Sequence, residues 1–540
     1  MAAPPVSEGS ADRQAVVSGG TDALRRQITY EERHMNTNLS KWGTLVVSCV
    51  AVLVLSVDLT ALHLAIPLLT AELGPSATEI LWIADGYGFA LAGLLITMGW
   101  VGDRVGRKKL LLIGAAAFGT ASALTAYAHT TETLVAGRVL LGAAGATIMP
   151  SALALVRNAF DEPGERTMAV GAFAGVGGLG VGLGPLLGGA LLDRFWWGAV
   201  FLINVPLMAV VVAAGLVVLR ESRDPRPGGL DPLSVLMSAA GTVGVIYSVK
   251  EIAADGFGAA RAAAGLGALV VLVLFVRRQS RIPDPLIDVR LFRIPAFSGS
   301  IGINLFAMFA LVAQSLVFAQ FWQLVLGWSP LKAGLAGLPG AIGAMAGGAA
   351  LAPPLISAMG RSRTIAIGLF VSACTFTAFT GFGADLNYWA FLPLLFASGL
   401  GMGLAMAVTS DTILASVPKE RAGAASAISE TATELGGALG MALLGSVVNA
   451  VYRTSVTLPG GLPEDASAKA GDSLPGAYEA ASAIPQDVAG RVLDAARLAY
   501  VDAMHAALLC SAFLALVSAV AALLSLRSVP RELEEQVVDA

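Results

Sequence analysis

GWVGDRVGRKKL, residues 99–110, ends an apolar run abruptly with one acid and four bases. Asp103, Arg104, Arg107, Lys108 and Lys109 cannot sit in hydrocarbon, so the apolar run that follows, residues 110–127, is a new membrane span entered through a very short turn. The chain crosses a membrane here and turns straight back. Working outward, the 540 residues are 56% hydrophobic and 13% charged, where soluble domains carry about 25% charged residues. That excludes a soluble globular class and predicts an all-α integral membrane protein. The net charge of −4 averages over two aqueous faces and gives no case for a nucleic-acid partner.

Apolar runs long enough to span a bilayer are centred near residues 55, 90, 119, 145, 179, 209, 241, 269, 309, 344, 373, 401, 436 and 513. We number them spans one to fourteen. An even count puts both termini on one side. The loops on that side, with the two tails, hold 25 of the 34 Lys and Arg, against eight on the other side and Arg138 inside a span. By the positive-inside rule the termini are expected in the cytoplasm, in a multi-pass plasma-membrane protein.

The long basic loops RESRDPRPGGLD (220–231) and RRQSRIPDPLIDVRLFR (277–293) bracket spans seven and eight. The expected organisation is therefore a tail over 1–41, a six-helix bundle over 42–220, inserted spans seven and eight within 221–294, a second six-helix bundle over 295–527, and a tail over 528–540. The first tail lacks the apolar core and cleavage site of a secretory signal and reads as disordered or partly helical. The halves echo each other. PLISAMGRSR (354–363), after span ten, is a degraded copy of the opening stretch that keeps Gly360, Arg361 and Arg363 but has no Asp. GGLGVGLGPLLGG (177–189) in span five has its counterpart in ETATELGGALGMALLGS (430–446) in span thirteen. Such internal repetition is typical of transporters that rock two bundles about a midplane site. Between spans thirteen and fourteen, residues 453–500 read as a solvated outside loop, with 487–500 helical and continuous with span fourteen.

Ionisable groups at bilayer depth cost enough to be functional by default. Asp58 in span one, Asp85 in span two and Arg138 in span four fall at comparable depth, which predicts one cation between two acids. A carboxylate there is raised in proton affinity by desolvation and lowered by the arginine, so movement of either changes proton binding. Glu430 and Glu434 lie one turn apart on one face of span thirteen, a pair able to trade a proton for a cation. His63 does not share a face with Asp58 and reads as an interfacial polar group. Asp411, at the end of span twelve, reads as an exposed interfacial acid. Trp82 and Tyr87 flank Asp85 and, with Phe89, Phe306, Met308, Trp322 and Met406, are candidates to line a greasy cation pocket. Gly180, Gly184, Gly188 and Gly189 let helices approach closely, and Pro185 removes a backbone hydrogen bond, which together suggest a hinge. Cys49, Cys374 and Cys510 read as small buried residues, and neither they nor the four His have metal-ligand or catalytic spacing. No metal, no cofactor and no enzymatic activity are expected.

The opening stretch resembles the loop between spans two and three of the major facilitator superfamily, roughly G-x-L-x-D-R-x-G-R-K/R, matched by Gly99, Asp103, Arg104, Gly106, Arg107 and Lys108. The resemblance extends in order through VDLTALHLAIPLL (57–69), LWIADGYG (81–88), GRVLLGAAGATIMPSAL (137–153), GLGPLLGG (182–189), FLINVP (201–206) and SETATELGGALG (429–440). The whole looks like the fourteen-span drug:proton antiporter branch, and within it the QacA and LfrA group. That implies proton-driven efflux of bulky organic cations by a monomer embedded in lipid. It implies roles for Asp58 and Arg138 in proton coupling, for Asp85 and Glu430 in contact with cationic substrates, and for Asp103, Arg107, Gly184 and Pro185 in gating; the residues themselves add Glu434 to the coupling set, Trp82 and Tyr87 to the substrate set, and Gly99, Arg104 and Gly106 to the gating loop, with Asp103 near a helix end and Arg107 offered to a partner acid. One departure is WWGAVFLINVP (196–206), where Trp197 stands at a position that many relatives fill with Arg. A dedicated exporter of one endogenous metabolite or lipid on the same fold is the alternative.

Overall fold

A computed structural model describes residues 40–62, 65–66, 68–69, 72–75, 77–223, 229, 231–255, 258–283, 285–418, 421–527 and 529. The expectations for the N-terminal tail and for His63 fall outside the described residues. Fourteen helices among the described residues are long and apolar enough to cross a membrane: Ser40–Leu62, Trp82–Val105, Arg107–Ala126, Thr131–Ala159, Pro163–Leu192, Ala199–Val218, Pro232–Ile252, Ala259–Gln279, Pro295–Val325, Leu331–Met359, Arg361–Phe379, Tyr388–Ala415, Ala422–Ser455 and Gln486–Ser525. They are spans one to fourteen in that order. Local chemistry marks their ends. Thr130 closes a capping box at the start of span four, Glu162 and Pro163 open span five, and Asn387 caps span twelve through the Trp389 N–H. Gly106 and Gly360, at the two equivalent loops, hold φ of 114° and 86°, a region an L side chain enters only with strain. A glycine lets each chain leave one span and start the next within a residue.

The spans assemble into two hydrophobic cores that follow the two halves. Leu55, Leu95, Leu111, Phe118 and Ile148 are central to one. Phe318, Phe376, Leu404, Tyr452 and Met504 are central to the other, where Phe379 and Phe391 stack with ring centroids 4.6 Å apart. Spans seven and eight form a hairpin at the edge of the first core, which they reach through Phe275, Val235 and Met237. Span eight exposes Leu266, Leu269, Val270, Val273 and Leu274 along its length, as a helix wrapped in lipid requires. Span seven leans on span two so closely that a Cβ at Gly93 would fall 2.8 Å from Val243 Cγ2.

Span ten contains a π-helical turn at Ala346–Leu351 immediately before Pro353 and Pro354. Prolines supply no N–H to the ladder, and the helix widens by a residue to accommodate them. The turn presents Gly348 to Gly171 of span five, where a Cβ would lie 2.3 Å from the Gly348 carbonyl. Here the two halves cross backbone to backbone.

Two expectations need correction. Residues 453–500 are not a solvated loop: helices Glu464–Asp472 and Leu474–Ser482 fold back and bury Ala470, Leu474, Ala477 and Ala480. Tyr452 Oη donates to the Ala470 carbonyl at 2.8 Å, and Tyr478 Oη donates to the Leu324 carbonyl, pinning this cap to span nine. Small alanines at helical spacing allow close packing that a polar average conceals. Span fourteen does continue through 487–500 as one helix, Gln486–Ser525. The three cysteines are free, but Cys374 is exposed and Cys49 and Cys510 are half-buried.

Candidate functional site

The first cluster lies deep in the first half. Asp58 and Arg138 are both fully buried and pair at 2.8 Å. Arg138 Nε donates to the Ile83 carbonyl at 3.0 Å, and its guanidinium lies 4.9 Å from the Tyr87 ring centroid. Asn204 of span six completes the set: its Nδ2 donates to the second Asp58 oxygen at 2.7 Å and to Ser122 Oγ at 3.0 Å. Thus Asp58 is held by a charge and an amide at once. Asn204 was visible as the polar residue within FLINVP, but periodicity assigns it no partner. Tyr87 is 1% exposed and belongs under Arg138, not beside Asp85, because residues two apart in a helix point to opposite faces.

Asp85 departs from the expected arrangement of one cation between two acids. Its ion-pair partner is Lys250 of span seven, one of the eight bases that the sequence assigns to the opposite face. A lysine close to the end of an apolar run reads as a solvated terminus, yet its four-carbon stem turns inward to the acid. The Lys250 ammonium also lies 5.4 Å from the Phe89 ring centroid. Phe89 in turn contacts Trp82 edge-on at 5.7 Å and Tyr247 at 6.1 Å. Phe89, Ala92, Ile246 and Ala438 form a small apolar cluster joining spans two, seven and thirteen. Glu430 and Glu434 are both only half-buried, and neither has a hydrogen-bond or ion-pair partner among the described residues. The apolar cluster next to the Asp85–Lys250 pair thus brings span thirteen, which carries Glu430 and Glu434, against span two. Phe306 is exposed and Trp322 is buried in the second core, so neither joins this place.

On the face that carries GWVGDRVGRKKL, which we call the basic face, three contacts lock the halves together. Asp103 accepts hydrogen bonds from the Gly423 and Ala424 N–H groups at 3.1 and 3.0 Å, capping the N-terminus of span thirteen. Arg107 is fully buried and donates to Asp103 at 2.6 and 2.9 Å and to Ser222 Oγ at 3.0 Å. It steadies the acid of its own loop. Glu221 takes the complementary task at span three, accepting from the Lys108 and Lys109 N–H groups. Gly99 is required for this approach: its Cβ would lie 2.5 Å from Ala427. Arg104 rests 5.3 Å from the Trp100 ring centroid.

The second lock overturns the reading of Asp411 as an exposed acid. Asp411 is fully buried between Arg166 of span five, at 2.7 Å, and Arg361 of span eleven, at 2.8 Å, and Thr167 Oγ1 donates to it at 2.9 Å. Two arginines distant in sequence converge on it, a convergence no local spacing announces. A third contact comes from Arg157 of span four, which donates to the Leu414 and Val417 carbonyls at 3.2 and 2.9 Å at the end of span twelve. There a cation meets the negative end of a helix.

The glycines of span five form a docking stripe for span one. A Cβ at Gly184 would lie 1.9 Å from Thr60 Oγ1, and one at Gly180 2.7 Å from Ser56 Cβ. The helix continues through Gly184-Pro185 from Pro163 to Leu192. These contacts fall within a turn of Asp58, so sliding of spans one and five bears on that acid. Trp197, at the position where Arg was expected, is buried and donates Nε1–H to Glu72 at 2.8 Å.

Comparison with known proteins agrees with this architecture. The sequence profile of the Major Facilitator Superfamily matches residues 48–441. The chain is 41% identical to the multidrug efflux pump LfrA of Mycolicibacterium smegmatis, over 88% of this chain and 95% of the relative. It is 36% identical to the methyl viologen resistance protein SmvA of Salmonella typhimurium, over 91% and 99%, and 32% identical to the tetracenomycin C resistance and export protein of Streptomyces glaucescens, over 91% and 93%. In fold it is similar to the crystal structure of the human organic anion transporter MFSD10, with a TM-score of 0.57, 13% identity and coverage of 89% of this chain and 99% of that one. Fourteen spans in two pseudo-repeated halves, locked across their interface and matched by that profile over most of their length, establish that the chain belongs to the Major Facilitator Superfamily of membrane transporters.

Proposed function

We propose that the protein exports lipophilic organic cations, such as quaternary ammonium compounds, dyes and antibiotics, in exchange for entering protons. The observation that carries this reading is Asp85, joined through Lys250 to the Trp82–Phe89 ring pair, at a junction where span two packs against span thirteen, the helix that bears Glu430 and Glu434. Carboxylates with accessible aromatic faces suit a greasy cation by charge and by cation–π attraction. Asp58 supplies the second requirement, a carboxylate that can take a proton. Protonation removes its attraction for Arg138, and the loosened arginine is free to follow span two or four as the bundles rock. Glu434 shares in coupling because proton and drug compete for one negative charge, which makes the exchange reciprocal. The basic face is assigned to the cytoplasm, and its closed locks correspond to a site directed outward. The methyl viologen resistance of one relative supports cationic substrates, methyl viologen being an aromatic dication.

The test is transport in proteoliposomes with an imposed pH gradient. Wild type is expected to move a dye cation against its gradient, and Asp58→Asn to lose that uphill transport. Uphill export retained by Asp58→Asn would remove the coupling role from Asp58. A second reading, export of one endogenous metabolite, is favoured by the tetracenomycin relative. It predicts a single transported compound across a broad toxicity panel, where the first predicts many cations.

A further inference from the structure

The ion pairs made by the two membrane acids of the first half, Asp58 and Asp85, differ in a way that separates fixed from exchangeable. Asp58–Arg138 has both side chains at 0% exposure, whereas Lys250 and Asp85 are 29% and 26% exposed. A buried pair is costly to break from one side, whereas a part-exposed pair contributes little and is readily exchanged. The partners differ as well. Arg138 is held by a carbonyl and an aromatic face in addition to its acid, while Lys250 is a compact ammonium on a flexible stem whose further neighbour is the Phe89 ring. An ammonium against an aromatic face and beside a carboxylate is the chemistry by which a protein holds an organic cation. Trp82 and Tyr247, each 41% exposed, extend that face outward from Phe89.

Resting on the efflux reading above, we infer that Lys250 is a tethered stand-in for the cationic substrate: its ammonium occupies the cation position at Asp85 and Phe89 in the empty carrier, and an incoming lipophilic cation displaces it. The inserted hairpin thereby gains a role. Span seven delivers a built-in competitor to the junction of spans two and thirteen, which keeps Asp85 from standing uncompensated between substrates. It also sets a threshold of affinity, since a cation must outbid Lys250 for the acid.

The experiment measures binding of tetraphenylphosphonium and of ethidium to purified wild type, Lys250→Met, Lys250→Arg, Asp85→Asn and the Asp85→Asn/Lys250→Met double variant. Lys250→Met is expected to bind the monocations about fivefold more tightly, the equivalent of roughly 1 kcal/mol of lost competition, with Lys250→Arg near wild type. In the Asp85→Asn background the same Met substitution is expected to change nothing. A thermal melt of each variant separates competition from a merely structural tether. Unchanged or weaker binding by Lys250→Met, with wild type still binding and exporting the cations, overturns the stand-in and leaves the efflux reading intact. Lys250→Arg binding as tightly as Lys250→Met would also overturn it. Failure of wild type to bind either cation sinks both.

Discussion

The loop after span two and its degraded copy after span ten solve one problem with different chemistry. Each must tie its half to the start of the fifth span of the other half. The first loop does so with a carboxylate: Asp103 accepts the N–H groups of Gly423 and Ala424 at the head of span thirteen and is steadied by Arg107. The second loop has no Asp. Its Arg361 instead shares the borrowed carboxylate of Asp411 with Arg166, which reaches over from the start of span five. One lock is a helix cap and the other a buried triad with a surplus positive charge. The comparison teaches that a repeat can lose its defining acid and keep its function in the fold, provided another buried acid lies within reach.

The largest effect is expected from Asp411→Asn. It strands two buried arginines, a loss of about 3–5 kcal/mol, and is expected to lower the Tm of the purified protein by several degrees and to abolish most transport. A melt like that of wild type would show the second lock to be held by packing alone. Next comes Asp103→Ala, which removes charge-assisted bonds worth about 1.5–3 kcal/mol from the closed state. Turnover is expected to fall roughly tenfold while dye affinity stays nearly intact. A large loss of equilibrium binding would contradict a lock remote from the substrate. The smallest contrast lies in the turning glycines. Gly106→Ala and Gly360→Ala each force a side chain into positive φ at about 1 kcal/mol, but a Cβ at Gly106 would also fall 2.5 Å from the Glu221 carboxylate. Both substitutions are therefore expected to lower the Tm, and an unchanged melt for either would break the parallel between the loops.

Much of the architecture was legible from hydrophobicity because a bilayer tests every residue of a span for the same property. The fourteen runs, the turn at GWVGDRVGRKKL and the echo between halves all follow from that test. Membrane acids were legible for the same reason: Asp58, Asp85, Glu430 and Glu434 stand out against their neighbours. Their partners were not. Periodicity places a side chain on a face of its own helix and says nothing about which helix faces it. Asn204 is one amide in an apolar run, Lys250 sits where a chain end is normally wet, and Arg166 and Asp411 are 245 residues apart.

The sequence by itself determined what must lie in the membrane, where the chain turns and which residues are too polar to be there by accident, since those are matters of transfer free energy taken one residue at a time. Only the tertiary structure decided how the charges are paired. It separated Asp58 with Arg138 from Asp85 with Lys250, withdrew Tyr87 from the acid beside it in sequence, and turned Asp411 from a surface group into the centre of a lock. Pairing a charge in low dielectric needs a partner at contact distance, and contact distance is set by how helices pack. GWVGDRVGRKKL carries both lessons: its charges announce a turn, and span thirteen makes that turn a lock.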